Sequence, residues 1–464
     1  MGLGYLASVV REMGMEVKIL DCLLKGWEQE EDVDELLIRV GLSDVQIKKY
    51  IEDFNPDIVG VNCQFSRQYK IYHQMFSLIK KTKPGCVTIA GGAHVTVCPN
   101  EVLKDENCDF IIIGEGENSF KELISLLSQD KDVSGIDGIG YKKNGVIKIN
   151  EKLNWITDLD SVPFPAYDIM ELDEYFGLPA SHGMRHKKRF CPVITSRGCP
   201  AKCTFCTALK VWGIKYRFRS VENVIREMKL LKDKYKIEEI MFEDDNVTAN
   251  PRRAKELFRA MIKEKLDFIW DTPNGVGIWS MDEEMLDLMK ESGCIKLNFP
   301  VESGVQGVLD SIIKKPIKLN RVRELIKYCK KIGLEYSMFL VIGMPGETLK
   351  DMWQSFLFAA SCGCYYPHVS VATPYPGSQL FLECKENNYF ARPFTLDDLF
   401  IRSYLIRTPD WDAKQLNKIL ERGLLYLRIM GIIHSPASIF GMLIKIIKNP
   451  MKFLNMIKKG IVGV

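Results

Sequence analysis

Hydrophobic and polar positions along this chain alternate between two periods. Residues 3–14 and 69–82 repeat apolar side chains every three to four positions, the spacing of an amphipathic helix, and 33–52 reads as a third such helix. Between them lie short apolar runs, VKILD at 17–21, DIVGVN at 57–62, VTIAGG at 87–92 and FIIIGEGE at 110–117, which predict buried strands. Strand and helix in alternation make a parallel, doubly wound α/β sheet. The chain nevertheless opens on a helix, whereas a flavodoxin-like order places the first strand in the middle of the sheet. The first strand is therefore read as missing, and the native start is expected upstream of Met1.

Further on, GIGYKKNGVIKIN (138–150) predicts a hairpin turning at Asn144-Gly145, followed by the proline-punctuated DLDSVPFPAYDIM (158–170). A second α/β series then runs through VITS (193–196), EIMFEDD (239–245), FIWDTPNGV (268–276), KLNFPVES (296–303), YSMFLVIG (336–343) and HVSVATPYPG (368–377). Six strand-helix units predict a partial (β/α)6 barrel with its working face at the C-terminal strand ends. The expected division is an α/β domain over 1–128, a linker with the hairpin over 129–190, a barrel over 191–400 and a helical tail over 401–464. After Gly431 the tail carries Lys445, Lys448, Lys452, Lys458 and Lys459 and no acid, with Ser435-Pro436 and Asn449-Pro450 as helix starts. Two short amphipathic helices follow from this, either lying on an anionic membrane surface or packed on the barrel with their lysines solvated.

Composition narrows the functional classes. At 464 residues the chain exceeds one hydrophobic core, and its net charge of +3 gives no ground for wholesale nucleic-acid binding. Fourteen cysteines without a leading signal segment point to a reducing, cytoplasmic setting. No uninterrupted apolar run reaches the ~20 residues of a spanning helix.

Chemistry concentrates in SRGCPAKCTFC (196–206), where Cys199, Cys203 and Cys206 form a C-x3-C-x2-C run after the first barrel strand. Iron-sulfur cubanes are held by closely spaced thiolates, normally four. Three leave one iron open to a non-protein ligand, as an open position distinguishes catalytic from structural zinc. Zinc would require a fourth ligand, for which Cys191 is the nearby candidate, and three incidental buried cysteines are the remaining alternative. Glu243, Asp244 and Asp245 cluster at one strand end, Glu302 and Ser303 at another, and Gly343 and Gly346 at a strand-to-helix turn.

The cysteine run, with Phe205 before its last member, resembles the radical SAM superfamily. FEDDNVT (242–248), PVESG (300–304) and VIGMPGET (341–348) are similar to its motifs around S-adenosylmethionine. KYRFRSVENVIREM (215–228), ATPYPGSQLF (372–381), GLGYLASVVREMG (2–14), GGAHVTVCPNEVL (91–103) and IIGEGENSF (112–120) resemble the subgroup with an N-terminal cobalamin-binding, Rossmann-like domain. The resemblance implies a [4Fe-4S] cluster on Cys199, Cys203 and Cys206, and S-adenosylmethionine near Phe205, Glu243, Asp244, Asp245, Glu302, Ser303, Gly343 and Gly346. It further implies cobalamin near Gly91 and Gly92, although the fingerprint Asp-x-His-x-x-Gly is absent from the chain. The implied activity is functionalisation of an unactivated carbon by cobalamin-dependent methyl transfer. Cobalamin-independent ring closure or carbon-carbon bond formation on a lipid, isoprenoid or tetrapyrrole substrate is one alternative, and a non-enzymatic iron-sulfur protein the other. Implied partners are a small-molecule or lipid substrate and an electron donor such as flavodoxin or ferredoxin, with no nucleic acid and with peripheral membrane contact through the tail.

Overall fold

A computed structural model describes the chain apart from residues 35–36, 179–184, 401 and 435–464. The first helix, Gly2–Glu12, lies where its periodicity places it. Residues 17–21 form no strand. Leu20 and Cys22 still pack against the cluster around Leu42, Ile47 and Ile79, so the apolar run serves packing without backbone pairing. The expected helix at 33–52 is also shorter, Asp44–Phe54, because Ser43 and Gln46 form a capping box that starts it there. Residues ahead of it pair as an antiparallel hairpin, β1 (Glu30–Asp34) with β2 (Leu37–Val40).

The N-terminal sheet has the order β3 (Ile58–Asn62), β4 (Val87–Gly91), β5 (Phe110–Ile112), β6 (Ile139–Lys143) and β7 (Val146–Ile149). The first three strands are parallel, and the hairpin joins them antiparallel through β5. Its turn residues Asn144 and Gly145 have φ of 53° and 74°, the pair of left-handed conformations a type I′ turn requires. The hairpin therefore completes the N-terminal sheet, which runs on to residue 149.

The second sheet is six parallel strands in the order β15 (His368–Val371), β14 (Glu335–Ile342), β13 (Cys294–Glu302), β12 (Ile269–Asp271), β11 (Glu239–Phe242) and β8 (Phe190–Val193). Leu297, Phe299 and Val301, and in the next strand Met338, Leu340 and Ile342, belong to the main core beneath the outer helices. Period-two alternation turns Lys296, Asn298, Ser337 and Phe339 toward the barrel interior. Helix Ala413–His434 buries Leu416, Leu420 and Leu427, and Gly423 lets it approach Phe356, whose ring would be 2.4 Å from an added Cβ. The two short helices expected after Gly431, with their five lysines, lie outside the described residues. Among the described residues no helix is long and apolar enough to cross a membrane.

The carboxyl edges of the two sheets face each other. The loop after β3 meets residues 397–400, through the Arg67 guanidinium over Phe400 and Tyr69 on Asp397 at 3.2 Å. An added Cβ on Gly377, beyond β15, would lie 2.8 Å from Val97, beyond β4. Glu115, beyond β5, reaches Arg197, beyond β8, at 3.0 Å.

Candidate active site

The cysteine loop leaves from β9 (Ser196–Arg197), which pairs antiparallel with β10 (Arg217–Phe218). Gly198 follows with φ of 82°, and a side chain there would meet the carbonyl of Lys215 at 2.6 Å, so the turn accepts glycine alone. Thr204 then anchors the loop's centre: its N–H and hydroxyl donate to the carbonyls of Ile313 and Ile312, each at 3.0 Å, and its own carbonyl accepts from Leu380 N–H at 2.8 Å. Cys203 is buried and Cys199 and Cys206 half-buried, with Phe205 packed against the barrel core. Burial pushes the Cys203 thiol up to about 12 and Cys206 to about 11, so these thiols are protonated until a cation displaces the proton.

The donor set fits a cubane. Three thiols from one anchored loop share a pocket, and Cys191 is turned away into the helix-facing core. Among the described residues no three His, Cys, Asp or Glu stand close enough for a single metal ion. A cubane asks for something different, because each thiolate binds its own iron.

Around this loop the expected S-adenosylmethionine residues divide. Asp245 lies within electrostatic reach of Cys199 and Cys206; burial and the charge of Asp244 raise its carboxyl to about 6, and its Oδ2 is buried without a hydrogen-bond partner. Asp244 has another task. Its carboxylate accepts from Thr195 N–H at 3.0 Å, from Thr195 Oγ1 at 2.8 Å and from the Ser196 hydroxyl, which ties β11 to the strand that launches the loop. Glu243 accepts from the Asn274 amide at 3.2 Å. Ser303 is fully buried against Ser355 at 3.3 Å and caps Val305. Gly343 has φ of 84° and would place a Cβ 2.8 Å from Leu416, so its glycine is required by the C-terminal helix; Gly346 similarly faces Ile312 at 3.2 Å.

Glu302 introduces a residue that sequence reasoning missed. It ends β13 with φ of 67° and holds Lys315 Nζ at 2.7 Å, both side chains 8% exposed. A π-helical turn, Val308–Ile313, carries Lys315 into place, and its last carbonyls are those that anchor Thr204. Against its desolvation, the neighbouring Glu302 carboxylate raises the ammonium's pKa. The available sequence signal was a lysine pair, Lys314-Lys315, closing an apolar turn.

In the N-terminal sheet Gly91 and Gly92 end β4. Gly92 has φ of 108° and lies against the loop after β3, where a Cβ would meet Cys63 O at 2.7 Å. That loop and the end of β3 expose Asn62, Gln64 and Phe65, the last at 63%, an edge that fits a large, partly apolar cofactor. His94 is held within its own domain: its ring nitrogens lie 3.1 Å from Ser66 Oγ and 3.0 Å from Glu101 Oε2. His73 is likewise held by Glu101 and Asp105, at 2.8 and 2.7 Å.

A cobalamin-type α/β sheet turned edge-on to a six-stranded parallel barrel, with three cysteines on the loop after the first barrel strand, defines a cobalamin-binding radical SAM enzyme. The family models agree, the Radical SAM superfamily matching residues 193–359 and the B12 binding domain residues 1–124. The chain is 36% identical to cytidylyl-2-hydroxyethylphosphonate methyltransferase of Streptomyces wedmorensis, over 91% of this chain and 84% of that protein. It is 33% identical to an uncharacterized methyltransferase of Pyrococcus horikoshii, over 96% and 91% of the two chains. Its fold resembles the radical S-adenosylmethionine methyltransferase TsrM of Kitasatospora setae, solved with cobalamin and a [4Fe-4S] cluster, with a TM-score of 0.68, 17% identity and coverage of 84% and 76%. The chain belongs to the radical SAM superfamily, in the group with a B12-binding domain, and uses a [4Fe-4S] cluster, S-adenosylmethionine and cobalamin.

Proposed function

We propose that this enzyme methylates an unactivated carbon of a polar small molecule held in the barrel interior. The observation that carries the reading is the facing of the two carboxyl edges across the cysteine loop, which puts the cobalamin edge and the cluster pocket on one cleft. When bound, the reduced cluster supplies the electron that breaks a carbon-sulfur bond of S-adenosylmethionine, and cobalamin supplies the methyl group for the carbon left by hydrogen abstraction.

The chain's own part is ligation, orientation and exclusion of water. Cys199, Cys203 and Cys206 hold the cluster, and Asp245, with its unpartnered buried oxygen, takes the methionine ammonium. Lys315, fixed by Glu302 beside the thiols, faces the methionine carboxylate and balances thiolate charge. Substrate polarity follows from the lumen. Asn298 Oδ1, Ser337 Oγ and the nearby Thr272 Oγ1 are buried without partners, an arrangement that costs on the order of 1–3 kcal/mol per group unless a ligand or water supplies one. Asn298 and Ser337 are register neighbours, and Asn298 also donates to Thr272 O at 3.2 Å. Lys296, the register partner of Asp271, lies within electrostatic reach of His368 at the open β15 edge. Such a lumen favours a polar substrate over a lipid, and the Streptomyces relative, named for a nucleotide-linked phosphonate, makes an anionic one the substrate to test.

The test is turnover of the reconstituted enzyme with S-adenosylmethionine deuterated in its methyl group, offered nucleotide-linked and free phosphonates, phosphate esters and isoprenoid lipids. Deuteromethyl transfer to carbon of an anionic polar compound is expected. Transfer to lipids alone would overturn the substrate reading, and turnover undiminished in cobalamin-free enzyme would overturn the methyl-transfer reading.

A further inference from the structure

Outside the pocket, a buried charge cluster joins the two halves of the chain. Glu115 is fully buried in the loop after β5, on the cobalamin side. Its carboxylate accepts from Arg197 Nη1 at 3.0 Å and from Arg217 Nη1 at 2.7 Å to each oxygen, and also from the backbone N–H of Ile156 at 3.0 Å. Arg197 donates its other nitrogen to Glu117 at 2.6 Å, and Arg217 its other to Trp212 O at 2.6 Å. Both arginines are at most 5% exposed. Their convergence is dictated by backbone pairing, since Arg197 and Arg217 are direct antiparallel partners of β9 and β10 and so place two guanidiniums on one carboxylate.

Aromatic rings close the cluster from water. Tyr5 and Trp212 lie 5.5 and 5.1 Å from the Arg197 guanidinium, and Trp155 lies 5.6 Å from that of Arg217. Trp155 itself is wedged between Gly114 of the cobalamin side and Gly213 beyond the cysteine loop, either of which would bring a Cβ within 3.1 Å of the ring. Two positive and two negative charges thus balance in a dry pocket where directional bonds hold the partners at fixed distances. Arg197 stands two residues before Cys199, on the rigid side of the Gly198 turn.

We infer that Glu115 is a positioning residue: through Arg197 and Arg217 it clamps the cobalamin-bearing edge to the base of the cysteine loop and so sets the separation of cobalamin and cluster. Methyl transfer and radical generation occur on different cofactors, and a substrate carbon must reach both within one cleft. A clamp on the loop's base therefore constrains the reaction geometry without touching substrate. The inference rests on the proposed function for its purpose, but the clamp itself is testable without cofactors.

Glu115→Gln keeps the shape and removes the charge, whereas Glu227→Gln is a control that removes an equally buried carboxylate, which accepts from Arg219 at 2.6 Å and from the Tyr167 hydroxyl at 2.9 Å, neither partner lying in 113–117 or 198–206. Hydrogen exchange of the full-length apo chain should become at least tenfold faster across both 113–117 and 198–206 in Glu115→Gln, and unchanged there in Glu227→Gln. In the holoenzyme, pulsed electron paramagnetic resonance between the reduced cluster and cob(II)alamin should give a distance distribution at least twice as broad in Glu115→Gln as in the wild type, at equal iron and cobalamin content. Arg197→Lys should broaden it as well, because an ammonium cannot span Glu115 and Glu117. Unchanged exchange in the cysteine loop, or equal broadening in Glu227→Gln, would overturn the inference. A wild type that binds no cobalamin would refute the proposed function and with it the clamp's purpose, while the exchange result would still decide whether the clamp exists.

Discussion

Glu347 is fully buried in the turn after β14, where its carboxylate accepts the Met344 N–H at 2.8 Å while the other oxygen has no partner. Burial outweighs the backbone N–H bonds, which favour the charged form, and raises the carboxyl from 4.5 to about 8. The folded state therefore holds this proton more tightly than the unfolded chain. Stability contributed by the neutral form is complete below about pH 4.5 and is lost as the pH rises toward 8. By linkage, the wild type should lose about 2 kcal/mol from this group between about pH 6 and about pH 8, out of about 5 kcal/mol at full ionisation. Glu347→Gln keeps the acceptor for Met344 and removes the titration. Thermal unfolding of the metal-free, reduced proteins at both pH values supplies the double difference, in which all other titrating groups cancel. The variant should gain on the wild type by about 4–8 °C on going from the lower to the higher pH, for a cooperative unit of roughly 200 residues. Parallel pH dependence of the two proteins would refute the reasoning.

Three further outcomes are expected. Replacing any one of Cys199, Cys203 and Cys206 by Ala should abolish reductive cleavage of S-adenosylmethionine, and the triple variant should lose the cluster, measured as iron and sulfide per chain; a triple variant with full cluster content would sink the ligand assignment. Lys315→Met should weaken S-adenosylmethionine binding by about 10- to 100-fold, the worth of a charge-assisted hydrogen bond, and pairing it with Glu302→Gln should restore thermal stability but not affinity in equilibrium dialysis. Gly92→Ala should destabilise the N-terminal sheet by about 1–3 kcal/mol, through a strained positive φ and a clash with Cys63 O. Gly91→Ala, with nothing nearer than 3.8 Å to its Cβ, should be tolerated in the same thermal assay.

Local pattern alone determined a good deal of this protein. Period and turn chemistry placed helix Tyr69–Thr82, the Asn144-Gly145 hairpin and five of the six barrel strands, because these elements are encoded by residues a few positions apart; the first barrel strand lies at Phe190–Val193, ahead of the expected 193–196. The three cysteines were legible for the same reason, being confined to one loop. Pairing is not local. VKILD has a strand's composition but forms none, since a strand exists only where another backbone accepts its hydrogen bonds. The 139–149 hairpin read as a linker element until β5 supplied its partner. Roles within the acidic run FEDD likewise depended on what lay opposite: Thr195 and Ser196 claim Asp244, while Asp245 keeps a buried oxygen without a hydrogen-bond partner. Lys315 acquired meaning only when the π-helical turn carried it to Glu302, and Glu115 only when β9 and β10 brought two arginines from across the chain. A buried charge is defined by its partners, and those partners stand up to about a hundred residues away, at |i−j| of 82 and 102 for Glu115. Tertiary structure alone decides which distant charges meet, because desolvation makes each of them tolerable only in the other's company.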